Sequence, residues 1–171
     1  RITQYVYQNW DSFLNTWKDN SRTTFLFNSQ GYLIQNLTEN YNYSSNQWEI
    51  QFGTKNVLIY DASNRIVDNI YQNWDLPNNT WKNYYRETAF TFDGSNNVLS
   101  LEFQMPNGTT WDKNYKYNLV YALNNQPVQL TMQNWNGTSF VNDSRWINLT
   151  FENWCGWYCE GISIQTGTLQ Y

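Results

Sequence analysis

The chain carries carboxylates, two cysteines and an unusual number of aromatic rings, and it has no histidine. Without histidine the commonest general acid–base is missing and the histidine-based triads are excluded. No Gly-x-Ser-x-Gly elbow and no Gly-rich phosphate loop occurs. A carboxylate pair would serve a glycosidase. However, Asp11, Asp61, Asp75, Asp93 and Asp143 all fall in turn-like sequence, where Asp is favoured for bonding to its own backbone. A non-enzymatic protein is expected, with no cofactor and no metal. Cys155 and Cys159 flank Gly156-Trp157-Tyr158. Two thiols do not complete a four-ligand zinc site, and a Cys-x-x-Cys redox pair would sit one residue closer. A local disulfide across a Gly-containing turn is the favoured reading and implies an oxidising, extracellular setting. A pair of reduced thiols is the alternative.

The rings offer chemistry of another kind. Trp17, Trp48, Trp81 and Trp111 recur at spacings of 31, 33 and 30, and Phe140 follows 29 later. Each is trailed by a cation: Arg22, Lys55, Arg86, Lys116 and Arg145. Four of these cations sit five places after the ring, and Lys55 sits seven after. Rings in strict register are expected to form a structural ladder, with each ring against the equivalent ring of the next copy and a cation on its face. A row of five cations could instead grip an acidic polysaccharide. Rings outside the register are the better ligand candidates. These are Trp10, Trp74 and Trp135, found in alternate copies, and Trp154, Trp157 and Tyr158 near the end. Exposed rings stack on sugar faces while nearby amides bond the hydroxyls.

The elements that must hold these residues are strands. Leu99, Leu101, Phe103 and Met105 alternate with Val98, Ser100, Glu102 and Gln104, and Val128, Leu130 and Met132 with Gln129, Thr131 and Gln133. That is a period of two, and no segment shows a 3.6-residue stripe. After each cation a short run ends in an aromatic (Phe27, Tyr60, Phe92, Tyr121, Phe151), and four runs lead into Asn-, Asp- or Gly-rich turns. A second turn, such as Asn107-Gly108 or Asn136-Gly137, precedes the ring of the next copy. The reading is all-β: an antiparallel up-and-down meander of about ten strands. Five hairpin repeats of about 31 residues would build it, curled into a barrel-like or superhelical sheet to cover its apolar face. The repeat domain is placed at 1–153 and a C-terminal capping segment at 154–171.

Composition narrows the partners. Aromatics make up 19% of the chain, charged residues 14%, and asparagine occurs 27 times. The net charge of -4 leaves no basic stripe for a phosphate backbone, so nucleic acid is not an expected partner. No run approaches the roughly 18 apolar residues that span a bilayer. Seven Asn-x-Ser/Thr sequons, among them Asn36, Asn107 and Asn148, follow from the asparagine-rich composition.

The segment Gln-Asn-Trp-Asn-Gly-Thr-Ser-Phe-Val-Asn-Asp-Ser-Arg at 133–145, followed by an alternating strand, resembles the tandem Trp/Asn repeats of secreted Bacteroidetes proteins. Those proteins commonly carry a type IX secretion sorting domain. The resemblance spans roughly residues 4 to 151, and copies two and four depart from it by lacking Gln-Asn-Trp. It implies export to the cell surface or medium and brings no catalytic residues with it. The expected role is a secreted or cell-surface structural and adhesive repeat protein. The alternatives are a carbohydrate-binding module and a self-assembling filament subunit joined through the edge strand at Ile2–Tyr7. A glycan or a cell-surface protein is the expected partner.

Overall fold

The computed structural model describes residues 1–150 and the backbone of the strand at 166–170. The expectations for Phe151, Trp154, Cys155, Trp157, Tyr158 and Cys159 lie outside the described residues. Eleven strands are present among those described: β1 (Gln4–Asp11), β2 (Thr16–Phe27), β3 (Leu33–Asn42), β4 (Gln47–Tyr60), β5 (Ile66–Asp75), β6 (Thr80–Phe92), β7 (Val98–Asn107), β8 (Thr110–Tyr121), β9 (Pro127–Trp135), β10 (Phe140–Thr150) and β11 (Thr166–Gln170). A 3-10 turn at Leu76–Asn78 is the one helical element among them. The strands hydrogen-bond in chain order as an antiparallel meander. β11, within the expected capping segment, pairs with β10.

The barrel alternative is corrected. β1 and β11 end the strand order and no ladder joins them among the described residues. Closing a sheet requires a tilt and stagger that bring the last edge onto the first. Here β1 stays an edge, with seven of its eight residues exposed.

The chain divides into two compact units, one of Arg1–Val57 with Tyr71–Tyr84 and one of Leu58–Ile70 with Tyr85–Tyr171. Among the described residues every buried large apolar side chain belongs to the second: Ile66, Leu101, Phe103, Leu119, Leu130 and Leu149. Strand register puts Leu101 opposite Tyr117, Phe103 opposite Tyr115 and Leu119 opposite Leu130, all on one sheet face. Tyr85, Tyr115, Tyr117 and Trp146 pack against this cluster. Burial, followed by the nearby Tyr117 and Glu87, pushes the Tyr115 hydroxyl up to about 12.

Four of the hairpins share a bulge. Asn20, Gln51, Asn114 and Asp143 are each extra residues in the register of β2, β4, β8 and β10. Each stands three places after the ring residue Trp17, Trp48, Trp111 or Phe140. A bulge adds one residue to one strand and so inverts the alternation of faces beyond it. A cation five residues after the ring would otherwise point to the opposite face. With one residue absorbed, ring and cation share a face, and the seven-residue spacing of Lys55 obeys the same parity. Asp143 therefore sits in a strand, correcting its expected turn position, and accepts from Asn134 Nδ2 at 2.9 Å.

The turns at the other end of the hairpins are alike. Asn28, Asp61 and Asp93 each accept two backbone N–H bonds through Oδ1, from residues two and four places on. The residue three places on has a positive φ: Gly31 at 90°, Asn64 at 64° and Asn96 at 66°. Gly and Asn tolerate this region best. In the fourth turn Ala122 has no side-chain acceptor, and Asn124 Oδ1 accepts from the Gln126 N–H instead.

Two predictions arise from these strands and turns. Ala89 lies exposed in β6 with φ of 51° at a second irregularity of register, where a Cβ is strained. Ala89→Gly should stabilise the chain by about 0.5–1 kcal/mol, read as a rise in thermal midpoint of about 1–4 °C. The second concerns acid. The Arg65 N–H and guanidinium hold Asp61 below the usual carboxylate range, and the Asn97 amide and N–H do the same for Asp93. A depressed folded value gives stability that is present above the unfolded value of about 3.9 and lost as pH falls through the folded one. The double variant Asp61→Asn, Asp93→Asn should lose less stability between pH 5 and pH 2 than the parent (thermal unfolding against pH). At neutral pH it should keep the fold, since Asn28 fills the same role in the first of these turns.

Candidate functional site

Each ring of the register meets a cross-strand partner at its hairpin tip. Trp17 lies opposite Trp10 with centroids 5.2 Å apart, and Trp48 opposite Tyr41 at 5.1 Å. Trp81 meets Trp74 at 5.3 Å, Phe140 meets Trp135 at 5.0 Å, and Trp111 stands opposite Pro106. These ring pairs are edge-on, the arrangement that aromatic quadrupoles favour. So Trp10, Trp74 and Trp135, expected to be independent of the register, are the cross-strand mates of the register rings.

A cation links one hairpin to the next. In the first unit the Arg22 guanidinium lies 4.6 Å from the Trp48 ring, and the Lys55 ammonium 5.7 Å from Trp81. In the second unit Arg86 lies 5.9 Å from Trp111, and Lys113 lies 4.9 Å from Trp135 and 5.5 Å from Phe140. The ring under each cation thus belongs to the following hairpin. Carboxylates on adjacent strands, Glu39 on β3 and Asp68 on β5, fix two of the cations. Arg22 donates to both oxygens of Glu39, at 2.6 and 2.9 Å, and Arg86 forms a forked pair with the buried Asp68. The first of these hydrogen bonds raises the Arg22 pKa above its ordinary value, and the second does so for Arg86.

Lys55 departs from the five-residue spacing for a steric reason. Gly53 occupies the usual place, and a Cβ there would come within 3.0 Å of Trp81 Cη2 and 3.1 Å of the Asn36 carbonyl. Lys116 stands opposite Glu102 and Gln133, while Lys113 lies over the next rings. Lys113 was findable in the sequence, since it stands two places after Trp111 and hence on the same face. Arg145 lines a shallow polar groove of about 530 Å³ on β8–β10. Two links run across this groove: Asn118 donates to Gln133 at 2.9 Å, and Gln133 to Asn142 at 2.8 Å. Its amides bond one another and no ring lines it.

A cleft of about 410 Å³ at the tip of the first hairpin differs in kind. Trp10 and Tyr43 line it with Asn9, Asp11, Lys18 and Asp19. Trp10 is 49% exposed and Tyr43 55%, whereas Trp74 and Trp135 are half-buried in their pairs. Asp11 closes its own turn, accepting from the N–H groups of Phe13 and Leu14. It also pairs with Lys18 at 2.5 Å, and that bond comes first among those holding its carboxyl below the usual range. Tyr43 reaches across from the β3–β4 turn to donate to the Asp19 carbonyl at 2.5 Å, with Lys18 5.7 Å from its ring. Burial raises the Tyr43 pKa, helped by Asp19. Two exposed rings therefore stand beside an amide, two carboxylates and an ammonium. Tyr43 carries no register signal, and only its place in a tip turn beside Asn42 hinted at it.

No family model matches the chain, and no curated protein matches it. Among solved structures, the chain is similar to a crystal structure of a protein of unknown function from Bacteroides fragilis, with a TM-score of 0.52 and 16% identity over 73% of this chain and 91% of that one. At that identity the likeness is one of fold.

Proposed function

We propose that the chain is a non-catalytic structural and adhesive repeat region acting outside the cell, built from five copies of one hairpin unit, and that it adheres by binding carbohydrate. The repeat reading rests on the shared ring pair, bulge phase and capped turn of the hairpins. The carbohydrate reading rests on one observation, the exposed Trp10 and Tyr43 rings converging with Asn9, Asp11, Lys18 and Asp19 in one cleft. A sugar offers an apolar C–H face to a ring and hydroxyls to carboxylates and amides, and this cleft presents both kinds of surface. The polar groove on β8–β10 offers only the second.

A glycan array followed by calorimetry on the hit tests this. Trp10→Ala and Tyr43→Ala should each weaken binding by about tenfold or more, the equivalent of about 1.4 kcal/mol, while circular dichroism stays unchanged. Binding that survives both substitutions, or an array without a hit, would remove the carbohydrate reading.

A further inference from the structure

The registers of β3, β7 and β9 follow one rule. Where the ring's cross-strand mate is Tyr41, Pro106 or Trp135, the residue two places before it (Glu39, Gln104 or Gln133) stands opposite a cation of the preceding strand. Those cations are Arg22, Arg86 and Lys116. β1 repeats the arrangement, since Trp10 is the mate of Trp17 and Gln8 stands two places before Trp10. Nothing pairs with the outer side of β1 among the described residues, because the strand order ends there.

The consequence shows at Trp17. Trp48, Trp81 and Trp111 are half-buried beneath their cations, while Trp17 is 61% exposed. Asp19 shares its face, opposite Gln8 and accepting from Gln8 Nε2 at 2.8 Å. A carboxylate and an open ring therefore stand together on the sheet face beside a free strand edge. Elsewhere Glu39 and Trp48 hold Arg22 with the same two groups.

We infer that β1 is a docking edge for an extended strand of another protein, added antiparallel, whose Lys or Arg comes opposite Gln8 and lies over Trp17 beside Asp19. The main-chain groups of β1 supply affinity, as in strand addition generally, and the ring and carboxylate select the cation. The inference continues an interface that the β2–β3 and β6–β7 ladders already display. It is separate from the carbohydrate reading, which uses Trp10 and Tyr43 at the tip.

The probe is a fluorescein-labelled peptide with the sequence of residues 16–27, whose arginine takes this position against β3. Added to the full chain, it should bind saturably in fluorescence anisotropy and raise hydrogen-exchange protection at residues 4–11. An Arg22→Ala peptide, which leaves the protein untouched, should bind about two- to thirtyfold more weakly, and so should the parent peptide on a Trp17→Ala chain. Three results would each overturn the inference: equal affinity of the two peptides, protection gained elsewhere, or no saturable binding. A chain that sediments as a dimer with residues 4–11 already protected would overturn it too, in favour of a second copy as the occupant.

Discussion

A cation on one hairpin lying over an aromatic ring of the next clamps the odd-numbered strand that runs between them. Arg22 reaches Trp48 across β3, where Glu39 holds the guanidinium from below, and Arg86 reaches Trp111 across β7. Each such contact is worth about 0.5–2 kcal/mol, but it binds three strands at once and fixes their register. The clamp has one geometric requirement, that ring and cation leave the same face of an even-numbered strand. In β2 and β4 the bulge three residues after the ring supplies it. Without that extra residue Arg22 and Lys55 would face away from the rings they must cover, whereas Lys113, two residues after Trp111, already shares the face of its ring.

The two units depend on this interaction to different degrees. The second has a cluster of buried Leu and Phe on one face, in addition to its clamps. The first has no buried large apolar side chain among its described residues. What orders it is the set of ring pairs, the clamps from Arg22 and Lys55, and turns in which side-chain oxygens satisfy the backbone. Gly53 shows how tight that arrangement is, since its missing Cβ is the space Trp81 occupies. A sheet with little core is viable when each hairpin is stapled to its neighbour, because a repeat then needs only nearest-neighbour contacts.

The strands and turns were legible because their signals are local. Period-two alternation marks β7 and β9, and an Asn or Asp followed three places later by Gly or Asn marks the capped turns. The bulge was written in the sequence as well, in the odd spacing of ring and cation, but only parity makes that spacing meaningful. The ring partners were not legible as such. Trp10, Trp74 and Trp135 look independent of the register because the β3–β4 and β7–β8 hairpins place Tyr41 and Pro106 there, and only strand pairing reveals these as equivalents. Spacing puts both Lys113 and Lys116 on the ring face, and which of them lies over the next rings depends on side-chain reach. Asp143 was misplaced for the same reason as the bulge was missed, because a polar residue between two strand-like runs reads as a turn.

The chemistry that holds the interior of the array also explains where it is open. Rings inside it have a mate at the hairpin tip and a cation on the face, and they are half-buried as a result. Among the described residues Trp10 and Trp17 have each other but no cation from a further strand, and both are exposed beside Asp11 and Asp19. No residue type in the first hairpin is special to it, since Gln-Asn-Trp occurs again at 72–74 and 133–135. Position in the strand order decides the difference. A residue pattern that is structural in one hairpin becomes a surface for ligands in another, because exposure is set by the neighbour it lacks.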